Sequence, residues 1–392
     1  MTTEPRTVPA RDADRVNPVS VRQLREHWDP TGALLSVYVT VPPDPAALRE
    51  FPAKLDRLLA TARPLMLGGS TGRQVRAARA AVRQLGLSRV RDWFGRSTVI
   101  IASGDDGVLH EMKLAATVPD RAVLGRRPYL RPLLRANQAA RPYSVVVVDR
   151  RQAWLFEVSG SAIARMRLLE GESTRAHSHA GWYGLEEYRI RHHKTEQAHR
   201  HYQATAAALQ ELAPANGRPL VVGGHKDGVA EFLSTLAAPL AARVAGTFVV
   251  DPHTMTPHVV HSGAAAVMAQ WEATRQERVA ADLAEWEAAG LAVSGVERSA
   301  EMVAKSAADL LVVRGDELVP GLVCDDCGAI TTRKHRCGGK TPAYPVPDVI
   351  DEMVARMLDT GGKIDLGGQE PAKFSVAARL HHSAAVDTGL SE

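Results

Sequence analysis

Residues 141–158, RPYSVVVVDRRQAWLFEV, predict two neighbouring strands joined by a tight turn. Val145–Val148 is an uninterrupted β-branched run, and Trp154–Val158 resumes an extended pattern after the polar Asp149–Arg151. β-Branched and aromatic residues are enriched in strands, and polar clusters separate them. A third apolar stretch follows at Ile163–Leu169. These residues predict a sheet in the middle of the chain.

The segment that follows this sheet has a different composition. Residues 171–184 are rich in Gly, Ser and His and show no period, whereas helical spacing returns from Glu186 to Leu209 with many Arg, His and Lys residues. A loop on a sheet edge that returns through a cationic helix is suited to reaching into a negatively charged partner.

Downstream, strands alternate with helices. Pro219–Gly223 and Gly246–Val250 are short apolar strands around an amphipathic helix at Val229–Ala242, which predicts a parallel pair with a right-handed crossover. The last part of the chain predicts strands at Leu291–Val293, Asp309–Val313, Lys363–Leu366 and Phe374–Leu380 and helices at Val296–Ala307 and Val346–Thr360.

The beginning of the chain predicts a third block of mixed structure. A buried strand at 33–42, an amphipathic helix at Ala46–Ala62 and a hairpin of Ser97–Ala102 with Val108–Leu114 follow one another. We therefore predict a multidomain α/β (α+β) protein with three mixed α/β domains: residues 1–140, 141–263 and 264–392.

Composition narrows the class of protein. The 45% hydrophobic and 23% charged residues are typical of a globular protein with ordinary cores. The first residues, MTTEPRTVPARDADRV, lack the apolar segment of a signal peptide, and no apolar run approaches the ~20 residues that span a bilayer. All three cysteines lie within 324–337, which excludes a disulfide framework. We expect a reduced, cytoplasmic setting and no membrane partner.

Those cysteines form a candidate metal site. Cys324 and Cys327 are spaced as one knuckle, and His335 and Cys337 could complete a tetrahedron around Zn²⁺. We predict a structural Cys₃His zinc site; the alternative is a ribbon that has lost its metal and persists as an ordinary loop. A catalytic zinc is disfavoured, because four protein ligands leave no open position.

Two cationic stretches are candidates for contact with phosphate. No acidic residue lies between Asp120 and Asp149, a stretch that contains Arg121, Arg126, Arg127, Arg131, Arg135 and Arg141. Such a run usually forms a solvated face, but it is also what a polyphosphate backbone selects. The second stretch surrounds the loop and the helix after it. Its candidate residues are His177, His179, Trp182, Tyr183, Arg189, Arg191, His192, His193 and Lys194.

The histidines of the second stretch have two interpretations. They could bind a metal ion, but the region has no thiols and few acidic residues, so contact with phosphates or stacking on bases is favoured. Trp182 and Tyr183 could stack in the same way, or they could hold the loop down as a small local cluster. No carboxylate pair stands out with neighbours that would shift a pKa, and we predict no catalytic residues.

Several stretches resemble the archaeo-eukaryotic class-1 release factor and Pelota superfamily in its bacterial form. They are ALLSVYVTVPPD (33–44), SVVVVDRRQAWLFEV (144–158), AVSGVERSAEMVAKSAADLLVV (292–313), TGGKIDL (360–366) and FSVAARLHH (374–382). The resemblance implies a tRNA-shaped protein of three domains that enters the ribosomal A site, with an L30e-like last domain that carries the Cys/His knuckle as a zinc-ribbon-like insertion. The first domain would face the decoding centre, and the loop at 171–194 would reach the peptidyl transferase centre.

Departures from the family pattern decide the expected function. Release factors carry Gly-Gly-Gln after the third middle-domain strand, where this chain has HSHAGWYGLEEYRIRHH, residues 177–193. Gly367-Gly368-Gln369 lies between two closing strands of the last domain, so we interpret it as coincidence. The resemblance therefore implies a non-catalytic hibernation factor that shields the A site by binding 23S and 16S rRNA, with Arg126, Arg127 and Arg131 among its contacts.

The implied partners are elongation factor Tu or another translational GTPase, and neither DNA nor a membrane is expected. Two alternatives stay open. One is a peptidyl-tRNA hydrolase with an unconventional tip residue such as His179 or Glu186, and the other is a Pelota-like rescue factor for stalled ribosomes.

Overall fold

The computed structural model describes residues 18–65, 69–114, 116–160, 162–171, 185–212, 217–367 and 374–381. It confirms a mixed α/β protein with several sheets. The chain forms two compact units. One contains the described residues between 140 and 275, and the other contains those between 12 and 139 together with those between 276 and 392. The boundaries of the three predicted domains stay a prediction.

The first part of the chain forms an antiparallel sheet in the order β3-β2-β1-β4. Its elements are α1 (Pro18–Arg25), β1 (Leu34–Val41), α2 (Pro45–Thr61), α3 (Gly69–Arg89), β2 (Arg96–Ser103), β3 (Gly107–Leu114), β4 (Arg121–Gly125) and α4 (Arg131–Ala139). Helices α2 and α3 cover one face of the sheet. Helices α1 and α4 cover the other, where they bury Tyr38 of β1. The predicted hairpin is confirmed, but β4 and α4 lie inside the arginine run and were not predicted.

The middle unit is built on a sheet of the order β7-β6-β5-β8-β9. Its elements are β5 (Tyr143–Val148), β6 (Gln152–Ser159), β7 (Ala162–Glu170), α5 (Leu185–Leu212), β8 (Leu220–Gly224), α6 (Lys226–Ser234), α7 (Ala238–Ala241), β9 (Val244–Val249) and α8 (Pro257–Ala288). The long helix α8 continues beyond residue 275. In β5, Val146 and Val148 face α5 and α6, whereas Val145 and Val147 face the start of α8. Burial on both faces explains the continuous apolar run.

The strand pairing of this unit matches the sequence. β5 and β6 are antiparallel neighbours with Val147 opposite Trp154, and β8 pairs in parallel with β5 and β9. The single helix predicted at Val229–Ala242 is divided into α6 and α7, because Pro239 lacks the N–H that a continuous helix needs and instead lies in the first turn of α7. Among the described residues, no helix is both long and apolar enough to span a bilayer.

The last part of the chain has a main sheet and a small one. The main sheet has the order β10-β16-β11-β15, and the small one has the order β13-β12-β14. The elements after α8 are β10 (Ala292–Ser294), α9 (Val296–Ala304), β11 (Ala308–Val313), β12 (Gly321–Val323), β13 (Ile330–Thr331), β14 (Tyr344–Val346), α10 (Val349–Thr360), β15 (Lys363–Leu366) and β16 (Val376–Leu380). The four predicted strands and the helix α9 are confirmed.

The last helix begins later than the sequence predicted. Tyr344–Val346 pairs with Gly321–Val323 as β14, and the side chain of Asp348 accepts a hydrogen bond from the Ile350 N–H as the cap of α10. Strand pairing and capping therefore override the helical spacing at Val346. Gly367 follows β15 directly, whereas Gly368 and Gln369 lie outside the described residues.

Candidate functional site

Part of the predicted RNA-binding set cannot be placed. His177, His179, Trp182 and Tyr183 lie outside the described residues. Arg189, Arg191, His192, His193 and Lys194 belong to the backbone of α5, and their side chains lie outside the described residues. Of the described residues on either side, Gly171 follows the edge strand β7, and α5 begins at Leu185.

The four predicted metal ligands come together at one end of the small sheet. The Sγ atoms of Cys324 and Cys337 are 3.4 Å apart, and Sγ of Cys327 lies 3.0 Å from Nε2 of His335. All four ligand atoms lie within 4.8 Å of one another. A tetrahedral ion with Zn–S bonds of about 2.3 Å places its sulfur atoms about 3.8 Å apart. The spacing and the donor set therefore fit a four-coordinate metal ion.

Local backbone structure presents the first two ligands. β12 ends at Val323, directly before Cys324, and the Gly328 N–H donates to the Cys324 carbonyl to close the knuckle. Gly328 has a φ of +72°, a conformation that a residue with a side chain adopts only with strain. The glycine after the second cysteine is therefore part of what makes the turn possible.

Backbone dipoles favour the thiolate form at this knuckle. A hydrogen bond from the Cys327 N–H, followed by one from the Cys337 thiol, lowers the pKa of Cys324. The thiolate, rather than the thiol, is the form that binds a metal ion. The cluster can therefore hold a metal ion, and with four protein ligands it would hold that ion as a structural element rather than as a Lewis acid open to substrate.

Arg131 has a structural environment. Only 4% of its side chain is exposed, and its Nη2 lies 3.0 Å from Oδ2 of Asp348. The same nitrogen donates to the Glu317 carbonyl at 2.8 Å and to the Tyr129 hydroxyl at 3.0 Å. A guanidinium that is buried and bonded in this way is not presented to phosphates in solvent. The burial of Arg131 argues against its predicted contact with RNA.

Asp351, on α10, is the second acidic residue of this buried network. Its Oδ1 accepts hydrogen bonds from the N–H groups of Leu130 at 3.0 Å and Arg131 at 2.8 Å, so a residue of α10 satisfies the first N–H groups of α4. Burial, reinforced by the nearby Asp348, raises the pKa of Asp351 well above its ordinary range. Burial also raises the pKa of Asp348, although the charge of Arg131 opposes this.

Arg126 and Arg127 are only partly buried and lie against aromatic rings. The Arg126 guanidinium carbon is 3.8 Å from the centre of the Tyr344 ring, and that of Arg127 is 5.0 Å from the centre of the Trp28 ring. The two rings meet edge to face, with centres 5.9 Å apart. Arginine stacks on aromatic faces through its delocalised charge. The sequence did not indicate either ring, because both partners are far from the arginine run along the chain.

The carboxyl group of Glu352, which interacts with the charge of Arg127, has a raised pKa. Burial raises the pKa of Glu352 to about 7 from its ordinary value of 4.5, against the opposing charge of Arg127. Asp348 and Asp325 add to the rise, and Arg356 opposes it. Because the folded pKa is above the unfolded one, ionisation of Glu352 costs stability progressively as the pH rises from about 4.5 to about 7.

We therefore expect Glu352→Gln to be as stable as the wild type near pH 4 and more stable at pH 8, by at most about 3 kcal/mol. Urea unfolding at the two pH values measures the difference. Glu285→Gln, at an exposed position of α8, is the control and should change neither value. An equal effect of Glu352→Gln at both pH values would show that ionisation is not its cause.

The middle of the chain matches a known protein family. Residues 128–276 match the model of a family described as bacterial archaeo-eukaryotic release factor family 10. This segment is therefore similar to that family. The match includes β5–β9 and the helix α5 that follows the segment at 171–184. The search of curated proteins gave no match.

Solved structures of low sequence identity match most of the chain. The archaeal translation termination factor aRF1 is 15% identical, with 93% of this chain and 96% of that chain covered and a TM-score of 0.25. Pelota of Archaeoglobus fulgidus is 16% identical, with 73% and 79% covered and a TM-score of 0.34. S. cerevisiae Dom34, a translation termination-like factor that interacts with Hbs1, is 9% identical, with 76% and 77% covered and a TM-score of 0.39. TM-scores below 0.5 carry no functional conclusion.

Proposed function

We propose that this protein is a ribosome-binding factor that occupies the A site without catalysis and shields the peptidyl transferase and decoding centres of idle ribosomes. The observation that carries the proposal is the match of residues 128–276 to a release factor family, combined with the absence of glutamine from residues 177–193. We call residues 177–193 the tip segment. Without the Gly-Gly-Gln tip, such a body retains the means to enter the site but lacks the group that positions water for ester hydrolysis.

The described elements next to the tip segment in the sequence support this function. The edge strand β7 precedes it, and the helix α5 begins within it at Leu185. Exposed cations flank it on the described side: Arg165 and Arg167 on β7 and Arg200 on α5. Arg167 and Arg200 pair with Glu211 and Glu196, but exposed pairs of this kind are weak and can yield to phosphate. Protection by occupancy needs shape and positive charge, and it needs no nucleophile.

The finer assignments belong to the same proposal. They are the resemblance to the ribosome-hibernation factor Balon, contact of the loop at 171–194 with 23S rRNA, and contact of the first domain with 16S rRNA. A translational GTPase, elongation factor Tu among the candidates, is the proposed protein partner.

Zn²⁺ is the proposed ion of the Cys₃His cluster. Thiolate and imidazole ligands in a tetrahedral arrangement are typical of structural zinc, and the donor atoms already lie at nearly the required distances. The ion would stabilise the small sheet, and it would take no part in a reaction.

Sedimentation with ribosomes tests the function. We expect the protein to travel with mRNA-free 70S ribosomes at low salt and to dissociate steeply between 50 and 300 mM KCl, because several phosphate contacts release counterions together. Ribosomes with an occupied A site are the matched control and should bind at least tenfold less protein. Absence from vacant ribosomes at the lowest salt would refute the proposal.

A peptide-release assay separates the proposal from its enzymatic alternative. Ribosomes loaded with peptidyl-tRNA should retain their peptide in the presence of the protein. Multiple-turnover release that disappears when His179 or Glu186 is replaced would identify a hydrolase instead. Preference for stalled, mRNA-bound ribosomes over idle ones would identify a rescue factor.

A further inference from the structure

The loop between β13 and β14, residues 332–343, contains an unusual concentration of exposed positive charge. We call it the knuckle loop, because it supplies the last two ligands of the cluster. Residues 333–340 read RKHRCGGK, and Arg333, Lys334, Arg336 and Lys340 are all exposed. Two of the metal-ligating residues, His335 and Cys337, lie between these cations. The four side chains that do not ligate are therefore held on a loop whose path is fixed from within by the cluster.

Hydrogen bonds fix this loop at both ends. At the start, Oε1 of Glu297 accepts the N–H of Thr332 at 2.7 Å, and its Oε2 accepts the Thr331 hydroxyl at 3.0 Å. At the other end, Oδ2 of Asp326 accepts the N–H of Thr341 at 2.6 Å. Asp326 and Glu297, two acidic residues beside the loop, are thus engaged with its backbone. The loop is preorganised, which lowers the entropy lost when it binds a partner.

An aromatic and arginine group continues the same surface. The loop ends at Tyr344, whose strand neighbour Val323 directly precedes Cys324. Tyr344 is covered by Arg126 and meets Trp28, which is 42% exposed and has Arg127 beside it. An exposed indole flanked by guanidinium groups is a platform on which an unpaired base can stack.

We propose that this surface, formed by Trp28, Arg126, Arg127 and the four knuckle-loop cations, binds single-stranded RNA. The cations contact successive phosphates, and Trp28 stacks on one base. An acidic protein would satisfy the cations but would leave the exposed part of the Trp28 indole without a stacking partner. The combination of positive charge and a partly exposed aromatic ring therefore favours nucleic acid. The inference deepens the proposed function, because it names a second RNA-binding site in the unit that does not carry the tip segment.

The test measures the binding of a fluorescein-labelled 12-nucleotide oligouridine by anisotropy over a series of KCl concentrations. The test variant replaces Arg333, Lys334, Arg336 and Lys340 by glutamine. At about 0.7 per lost phosphate contact, its slope of log affinity against log salt should be shallower by about 2.8 than that of the wild type. We expect its affinity at 50 mM KCl to fall at least tenfold. The matched control replaces four exposed cations elsewhere in the same unit, Arg49, Arg63, Lys305 and Lys363, and should stay within twofold.

Trp28 is tested separately, because stacking is uncharged. Trp28→Ala should weaken binding at least about fivefold and leave the salt slope unchanged, and Trp28→Phe should restore most of the affinity. Metal content and thiol reactivity are measured for each variant, so that loss of the fold is recognised independently.

The inference is overturned if the knuckle-loop variant binds the oligouridine like the wild type, or if polyglutamate displaces the RNA at equal charge concentration. The latter result would assign the surface to an acidic protein. Failure here is distinguishable from failure of the proposed function: the wild type would still sediment with vacant ribosomes if only the second site were wrong.

Discussion

Arg131→Met should destabilise the unit formed by residues 12–139 and 276–392 by about 3–5 kcal/mol, because it leaves the buried carboxylate of Asp348 without its counter-charge. Methionine fills similar volume, so the loss reports the missing charge rather than a cavity. Urea unfolding combined with hydrogen exchange of α4 and α10 measures it. Exchange in the middle unit should stay unchanged.

The pH dependence of this variant follows from the same contacts. Burial already raises the pKa of Asp348, and removal of Arg131 removes the main opposing charge. A carboxyl group whose folded pKa lies above its unfolded pKa costs stability as the pH rises between the two values. The defect of Arg131→Met should therefore be largest at high pH and should shrink as the pH falls and Asp348 takes up a proton.

A surface pair provides the control for this prediction. Arg83 forms an ion pair with Asp56, and both side chains are about half exposed. Arg83→Met should leave the unfolding midpoint nearly unchanged, because water replaces the lost contact. The double variant Arg131→Met with Asp348→Asn should recover part of the stability, since the unpaired charge of Asp348 is removed. Equal midpoints for Arg131→Met and the wild type would show that the buried pair is dispensable.

The buried pair also shows what the sequence could not predict. Strand and helix periodicity is local, so the hairpin of β2 and β3, the parallel strands β8 and β9 and the last sheet followed from the sequence. Two partners of Arg131, Glu317 and Asp348, lie more than 180 residues away along the chain. An arginine that has such a partner and one that faces solvent look the same in a sequence, so the run at 121–141 was interpreted as one surface.

The candidate-site residues were also predictable only where their contacts are local in the sequence. The Cys₃His set was predictable because its four ligands lie within 14 residues and their spacing carries the geometry. The meeting of Trp28 with Tyr344 was not predictable, because it requires the first and last parts of the chain to pack together. The cations at 333–340 were visible in the sequence, but only the structure shows that hydrogen bonds hold their loop at both ends.

Removal of the metal ion should disorder the small sheet and the loops that carry the four ligands. We expect the purified protein to contain one Zn²⁺ per chain and to lose the order of residues 321–346 when a strong chelator removes it, because structural zinc contributes about 10–16 kcal/mol of apparent binding energy in small domains. The three cysteines of the chain all lie in the cluster, so every thiol that becomes reactive during chelation reports on this site alone.

Replacement of His335 distinguishes ligation from packing. His335→Ala should lower zinc affinity by several orders of magnitude and expose the three thiols, whereas His335→Cys should retain the ion, because four thiolates are an equally good tetrahedral set. Hydrogen exchange of β12–β14 should follow the zinc content of each variant, whereas exchange of β5 and β8, which belong to the other unit, should stay unchanged. If His335→Ala keeps a full equivalent of zinc and its slow exchange, then His335 is no ligand. If neither the wild type nor His335→Cys contains metal, the cluster is an ordinary loop whose cysteines and histidine pack without an ion.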